Sequence, residues 1–203
     1  MPVRPERYAI PAGLVWGGRA DAHGALPGSE GFYTGVAHVL QEPALLLALI
    51  AAILGLLPDW PRRFRTGAVV FSATLALGFL SGRDLATLLP IPLALLLAAT
   101  VMGTAAALAG DRATPAILVC IAPLGVLIGA ASLPYPGDPI DVLVTTAGGA
   151  SVPLVALLVT GGAYDALPTR FRTPSLALAL RIASAWLSAI AAMLAALVIR
   201  SGG

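Results

Sequence analysis

The sequence predicts an all-α integral membrane protein, a bundle of six transmembrane helices with both termini external. Three observations carry that prediction: the composition, the length of the apolar runs, and the distribution of arginine. Of 203 residues, 58% are hydrophobic and 11% are charged, against roughly 25% charged in a soluble domain. Mean hydropathy is +0.91. Six apolar stretches, 35–57, 66–81, 86–109, 115–133, 141–163 and 175–199, approach or exceed the roughly 20 residues that a helix needs to cross a bilayer. None alternates as a membrane β-strand would, and helices are the remaining way to satisfy backbone groups in lipid.

Residues 1–33 read as an extramembrane N-terminal tail, and residues 34–200 as the transmembrane domain. The tail is broken by Pro2, Pro5, Pro11, Gly17, Gly18, Pro27 and Gly28, and its longest apolar run, "YAIPAGLVW", is too short and interrupted for a signal peptide. The first span carries His38, Gln41, Glu42 and Pro43 near its start. The second, 66–81, is the shortest. Pro90, Pro92, Pro123 and Pro153 lie in or at the ends of later spans and predict tolerated kinks. The breaks "PDWPRRFR", "SGRD", "GDRATP", "PYPGDP" and "YDALPTRFRTP" each join Pro or Gly to charge, as turns outside hydrocarbon do. Small-residue runs such as "GTAAALAG" and "TTAGGAS" predict close helix packing.

Orientation follows from arginine, since all twelve basic residues are arginine. Arg62, Arg63, Arg65, Arg112, Arg170 and Arg172 fall in the loops after spans one, three and five, whereas the loop after span two has only Arg83. The positive-inside rule puts the arginine-rich loops in the cytoplasm. Arg181, inside the last span, snorkels to that surface. The compartment expected is the inner membrane of a bacterium.

Several chemistries are excluded. A net charge of +2 is too small to argue for nucleic acid. Cys120 is the lone cysteine, so there is no disulfide framework and no c-type haem motif. Two histidines cannot ligate a pair of haems. Ser81 in "GFLSGRD" has no later histidine to activate it, and no phosphate-binding glycine motif occurs. The chain is expected to be no enzyme and to hold no resident cofactor.

The stretch "GVAHVLQEPALLLALIAAILGLL" carries the candidate site. Pro43 to Leu57 is fifteen residues without a charge, about 22 Å of helix against a hydrocarbon core of roughly 30 Å. The span must therefore extend upstream, which brings Glu42, Gln41 and His38 beneath the external interface. Spacing of four sets His38 and Glu42 on one helix face, and Pro43 bends the helix beside them. Two readings stand side by side: an interfacial pair that anchors the helix, with Glu42 favoured by the helix dipole, and a polar vestibule that captures a cation or a partner. Asp141, at the start of span five, would face the same vestibule. The carboxylates Asp84, Asp111, Asp138 and Asp165 read as solvated span ends.

The segment "AHGALPGSEGFYTGVAHVLQEPALLLALIAAILGLL", with Gly-Phe-Tyr leading to a span-initial histidine, the six-span layout and the final helix "LRIASAWLSAIAAMLAALVIR" resemble the HupE/UreJ family. These are membrane proteins associated with hydrogenase and urease operons and implicated in nickel supply. The family's first helix reads His-Pro, two residues, Gly, one residue, Asp-His; here His38 matches, while Val39, Glu42, Ala44 and Leu45 stand at the other positions. The likeness implies a permease for nickel, cobalt or another small solute, the ion being cargo, with His38 and Glu42 as metal ligands and His23 of the tail as an added donor. The competing expectation is a non-catalytic accessory subunit of a larger membrane complex. The partners expected are the bilayer and, on the second reading, other proteins.

Overall fold

A computed structural model of the chain describes residues 31–59, 61–108, 114–134 and 138–202. Residues 1–30 of the expected tail, His23 among them, lie outside the described residues, as do Asp111, Arg112 and three of the interior residues of the "PYPGDP" turn. Among the described residues every regular element is helical. Helix α1 spans Phe32–Gln41, α2 Pro43–Leu56, α3 Arg62–Leu88, α4 Ile91–Leu108, α5 Thr114–Ala131, α6 Pro139–Ala166 and α7 Pro174–Arg200. Short 3-10 turns at Leu57–Asp59 and Thr169–Phe171 lead into α3 and α7. Helices α3, α4, α6 and α7 are long and apolar enough to cross a membrane, and α1 with α2 makes a fifth if the bent pair counts as one span. By length and composition these helices mark a multi-pass membrane protein.

The first span is not one helix. Glu42 adopts φ −87°, ψ 108° because the ring of Pro43 disfavours helical backbone at the preceding residue. Pro43 then serves as the first residue of α2, where a missing N–H costs nothing. The two helices meet at 81°. Upstream residues therefore add almost nothing to the length of α2, and the continuous extension expected from its fifteen uncharged residues gives way to a corner.

A second difference concerns "SGRD". It forms no turn: α3 runs unbroken through it for 27 residues to Leu88. Ser81, Gly82, Arg83 and Asp84 contain no proline, and the Ser81 hydroxyl is absorbed by the Leu77 carbonyl at 2.9 Å. Leu89, extended ahead of Pro90, is what ends the helix. Later helix starts are set by side chains: Asp138 accepts from the Ile140 N–H at 2.9 Å and Thr173 from the Leu176 N–H at 3.4 Å, each followed by proline.

The core lies where α2 meets α3, α4, α5 and α7. Leu45, Leu56, Phe71, Leu95, Met102, Ile117 and Ile121 are fully buried there. Outward faces carry Val69, Leu80, Val101, Leu158, Trp186 and Met193, an apolar surface far larger than a water-soluble monomer presents. Helix pairs approach closely because glycine lines their contacts. On α3 and α5, a side chain at Gly78 would strike the Val126 carbonyl and one at Gly129 the Leu75 carbonyl. Each belongs to a Gly-x-x-x-Gly pair, Gly78 with Gly82 and Gly125 with Gly129, the spacing that lets membrane helices touch backbone to backbone. Between α4 and α7 the Ser188 hydroxyl donates to the Thr100 carbonyl at 2.8 Å and sits 2.7 Å from the Thr104 hydroxyl.

Substitution separates packing glycines from idle ones. Gly129→Ala must push α3 off α5 and should destabilise by about 1–3 kcal/mol, read as a lower unfolding midpoint in detergent. Gly162→Ala meets nothing and should leave the midpoint unchanged or raise it, since alanine is the better helix former.

Candidate functional site at the broken first helix

Helix α5 ends early. After Ala131 and Ser132, Leu133 precedes Pro134 and cannot continue the helix. Its neighbours go further. Gly82 of α3 lies against Ala130, and Gly149 of α6 lies against Ser132. From those levels, at 1.5 Å per residue, α3 runs on for about 9 Å and α6 for about 15 Å along their own axes. The end of α5 is thus the floor of a recess.

A helix C-terminus leaves carbonyls without helical partners, and here the residues that follow α5, together with one side chain of α1, answer some of them. The Ile128 carbonyl accepts from the Ser132 N–H at 3.0 Å and its hydroxyl at 2.7 Å, and the Ala130 carbonyl accepts from Leu133 at 3.4 Å. The Ala131 carbonyl is met by His38, whose Nε2–H donates at 3.0 Å. A carbonyl can only accept, so Nε2 carries the proton, and a neutral ring keeps its lone pair on Nδ1. The break at Glu42–Pro43 makes this contact available, because it turns α1 away from α2 and across the recess. A side chain at Gly35 would strike the Thr145 carbonyl, and one at Gly148 the Phe32 carbonyl, so α1 lies directly on α6.

Between the corner, the floor and the α3–α4 turn is a partly open cavity of about 330 Å³. Its polar lining is His38, Glu42 and Arg83; Ile91, Leu95 and Leu133 supply much of the apolar wall. Glu42 is half-buried and Arg83 exposed. Among the described residues no ion pair joins them; the pair seen, Arg172 with Asp165 at 3.7 Å, is at the far end of the bundle.

Of the residues expected at a site, the structure brings His38 and Glu42 to one cavity, Glu42 capping α1 through its N–H to the His38 carbonyl at 3.2 Å just before the break. Pro43 shapes the corner. Gln41 is exposed and Asp141 is exposed in the first turn of α6, both outside the lining. Arg83 is the member that sequence reasoning missed: "SGRD" looks like a turn, and nothing local marks it as a helical segment facing a cavity. Among the described residues no group of three His, Cys, Asp or Glu side chains is placed to hold a metal ion. No protein-family model, curated protein or solved structure matches this chain.

Removing the imidazole should loosen the corner selectively. In His38→Leu the half-buried Ala131 carbonyl loses the donor of an exposed hydrogen bond, a cost of about 0.5–1.5 kcal/mol. Amide hydrogen exchange across residues 32–41 should then accelerate while α4 and α7 keep their protection; His38→Gln, which keeps a donor, should fall between.

Proposed function

We propose that the chain is a six-span permease of the bacterial inner membrane that takes a small solute from the external side through the cavity at its broken first helix. The cavity itself carries this reading: a recess with apolar walls and three polar groups, open at one end of a helical bundle, is the form that solute sites take. Helix lengths support the arrangement. Helix α5, 18 residues and about 27 Å, comes close to a hydrocarbon core of roughly 30 Å, which supports reading it as the sixth span with its C-terminus near the membrane boundary. With α2 along the membrane normal, the 81° corner lays α1 almost in the plane of that boundary, where the exposed Phe32 and Tyr33 suit the interfacial aromatic belt. Arg63, Arg65, Arg170 and Arg172 gather at the opposite end, which the positive-inside rule makes cytoplasmic.

The HupE/UreJ resemblance nominates nickel or cobalt as cargo, with His38 and Glu42 as ligands. Two donors are a thin set for a transition-metal site, and Arg83 shares their cavity, so the broader solute reading is the stronger one. It is tested in proteoliposomes with radiolabelled nickel(II), cobalt(II) and a set of small amino and organic acids. Uptake of one of these above empty liposomes should be abolished by Ala86→Trp, which plugs the cavity. Absence of uptake together with a stoichiometric protein partner retained in mild detergent would overturn the permease in favour of the accessory subunit.

A further inference from the structure

We infer that the cavity binds a small zwitterion, a primary ammonium and an anionic oxyacid joined by a short apolar body. The inference rests on the solute reading above and deepens it. Glu42 and Arg83 both line the cavity yet form no ion pair with each other or with another described residue. Each reaches the space from a different support, the α1–α2 corner and helix α3. Opposite charges left apart on an apolar cavity hold it electrically polarised, with one end suited to a cation and the other to an anion.

The alternatives leave a charge uncompensated. A bare divalent cation would satisfy Glu42 and the His38 ring while bringing its own charge beside the Arg83 guanidinium. A bare anion would satisfy Arg83 and repel Glu42. A zwitterion answers both at once and enters with no net charge, which keeps the desolvation cost of a partly apolar site low. Its oxyacid takes the guanidinium, a fork that fits carboxylate and phosphate alike. Its ammonium donates to the Glu42 carboxylate, beside the His38 ring that lines the same cavity. Ile91, Leu95 and Leu133 cover the carbon between. At about 330 Å³ the cavity is near the lower end of the roughly 300–1,000 Å³ of ligand pockets, which restricts the body to a few carbons.

Two sources carry this chemistry: a free aliphatic amino acid, and the phosphoethanolamine headgroup of a membrane lipid with its chains over the apolar wall. Full-length protein in nanodiscs distinguishes them. Equilibrium binding is measured with leucine, with leucinamide, which lacks the anion, and with 4-methylpentanoate, which lacks the cation. In a second arm, protein reconstituted from equal parts phosphatidylethanolamine, phosphatidylcholine and phosphatidylglycerol is analysed by native mass spectrometry. Leucine binding at least tenfold tighter than both analogues assigns the free solute; selective retention of phosphatidylethanolamine assigns the headgroup. In either case Glu42→Gln and Arg83→Gln should each weaken binding by about tenfold to a hundredfold, the range for one lost charge-assisted contact, with an unchanged thermal midpoint showing that the variants are folded. Equal binding of the single-charge analogues, or binding of neither leucine nor phosphatidylethanolamine by folded protein, overturns the inference. Because binding is read without transport, its failure is separate from failure of the uptake assay.

Discussion

A helix that stops among longer neighbours must have its last carbonyls met, and at Ala131 the donor comes from another element. That single contact, His38 Nε2–H to the Ala131 carbonyl at 3.0 Å, is what the break before Pro43 makes possible. A straight helix from Phe32 to Leu56 would carry His38 up and away from α5. Only the corner at Glu42–Pro43 turns the imidazole onto the recessed helix end. Sequence chemistry and tertiary need agree there: proline imposes the break, and the break delivers the cap. A related device closes α4, whose Ala107 carbonyl accepts from Arg181 Nε of α7 at 2.9 Å. In both cases a cationic or cation-capable side chain meets the negative end of a helix dipole.

The recess exists because the frame around it is rigid and of unequal length. Helices α3 and α5 are locked by carbonyls pressed against Gly78 and Gly129, so α5 cannot slide along α3 to fill the space above its own end. Helix α1 is fastened by Gly35 and Gly148 to α6 and by His38 to α5. The helices that frame the cavity are therefore held at close range by backbone contacts, while side chains such as Ile91, Leu95 and Leu133 line the partly open space between them. Small residues in this chain are spent on fixing distances, and the distances leave a hole.

The sequence made the apolar helices legible, and it made Pro43 legible as a bend. Composition and run length speak to both without tertiary knowledge. The size of the bend was not legible, because Pro43 could have kinked a continuous helix and only the docking of α1 on α6 selects a corner. "SGRD" misled for a related reason. Charge and glycine ordinarily signal a turn, yet Gly82 is there to pass Ala130 closely and Arg83 extends a helix already beyond its partner's end. The glycine pairs Gly78–Gly82 and Gly125–Gly129 were readable as a spacing, but which helix each would meet is a fact of folding. Partners far apart in the chain, such as His38 and Ala131, leave no local trace when one of them contributes only a backbone carbonyl.

Separated charges constrain where such a cavity can be. In water an ion pair is worth about 0–1 kcal/mol, so leaving Glu42 and Arg83 apart costs little if solvent reaches them. Deep in hydrocarbon the same separation would cost several kcal/mol per ion, and the pair would close or the groups would neutralise. The open pair is thus tolerable only where water reaches it, as it does at the half-buried Glu42 and the exposed Arg83. A ligand that entered there would displace water from both ions at once, and only one that supplied both missing partners would replace what the water had given.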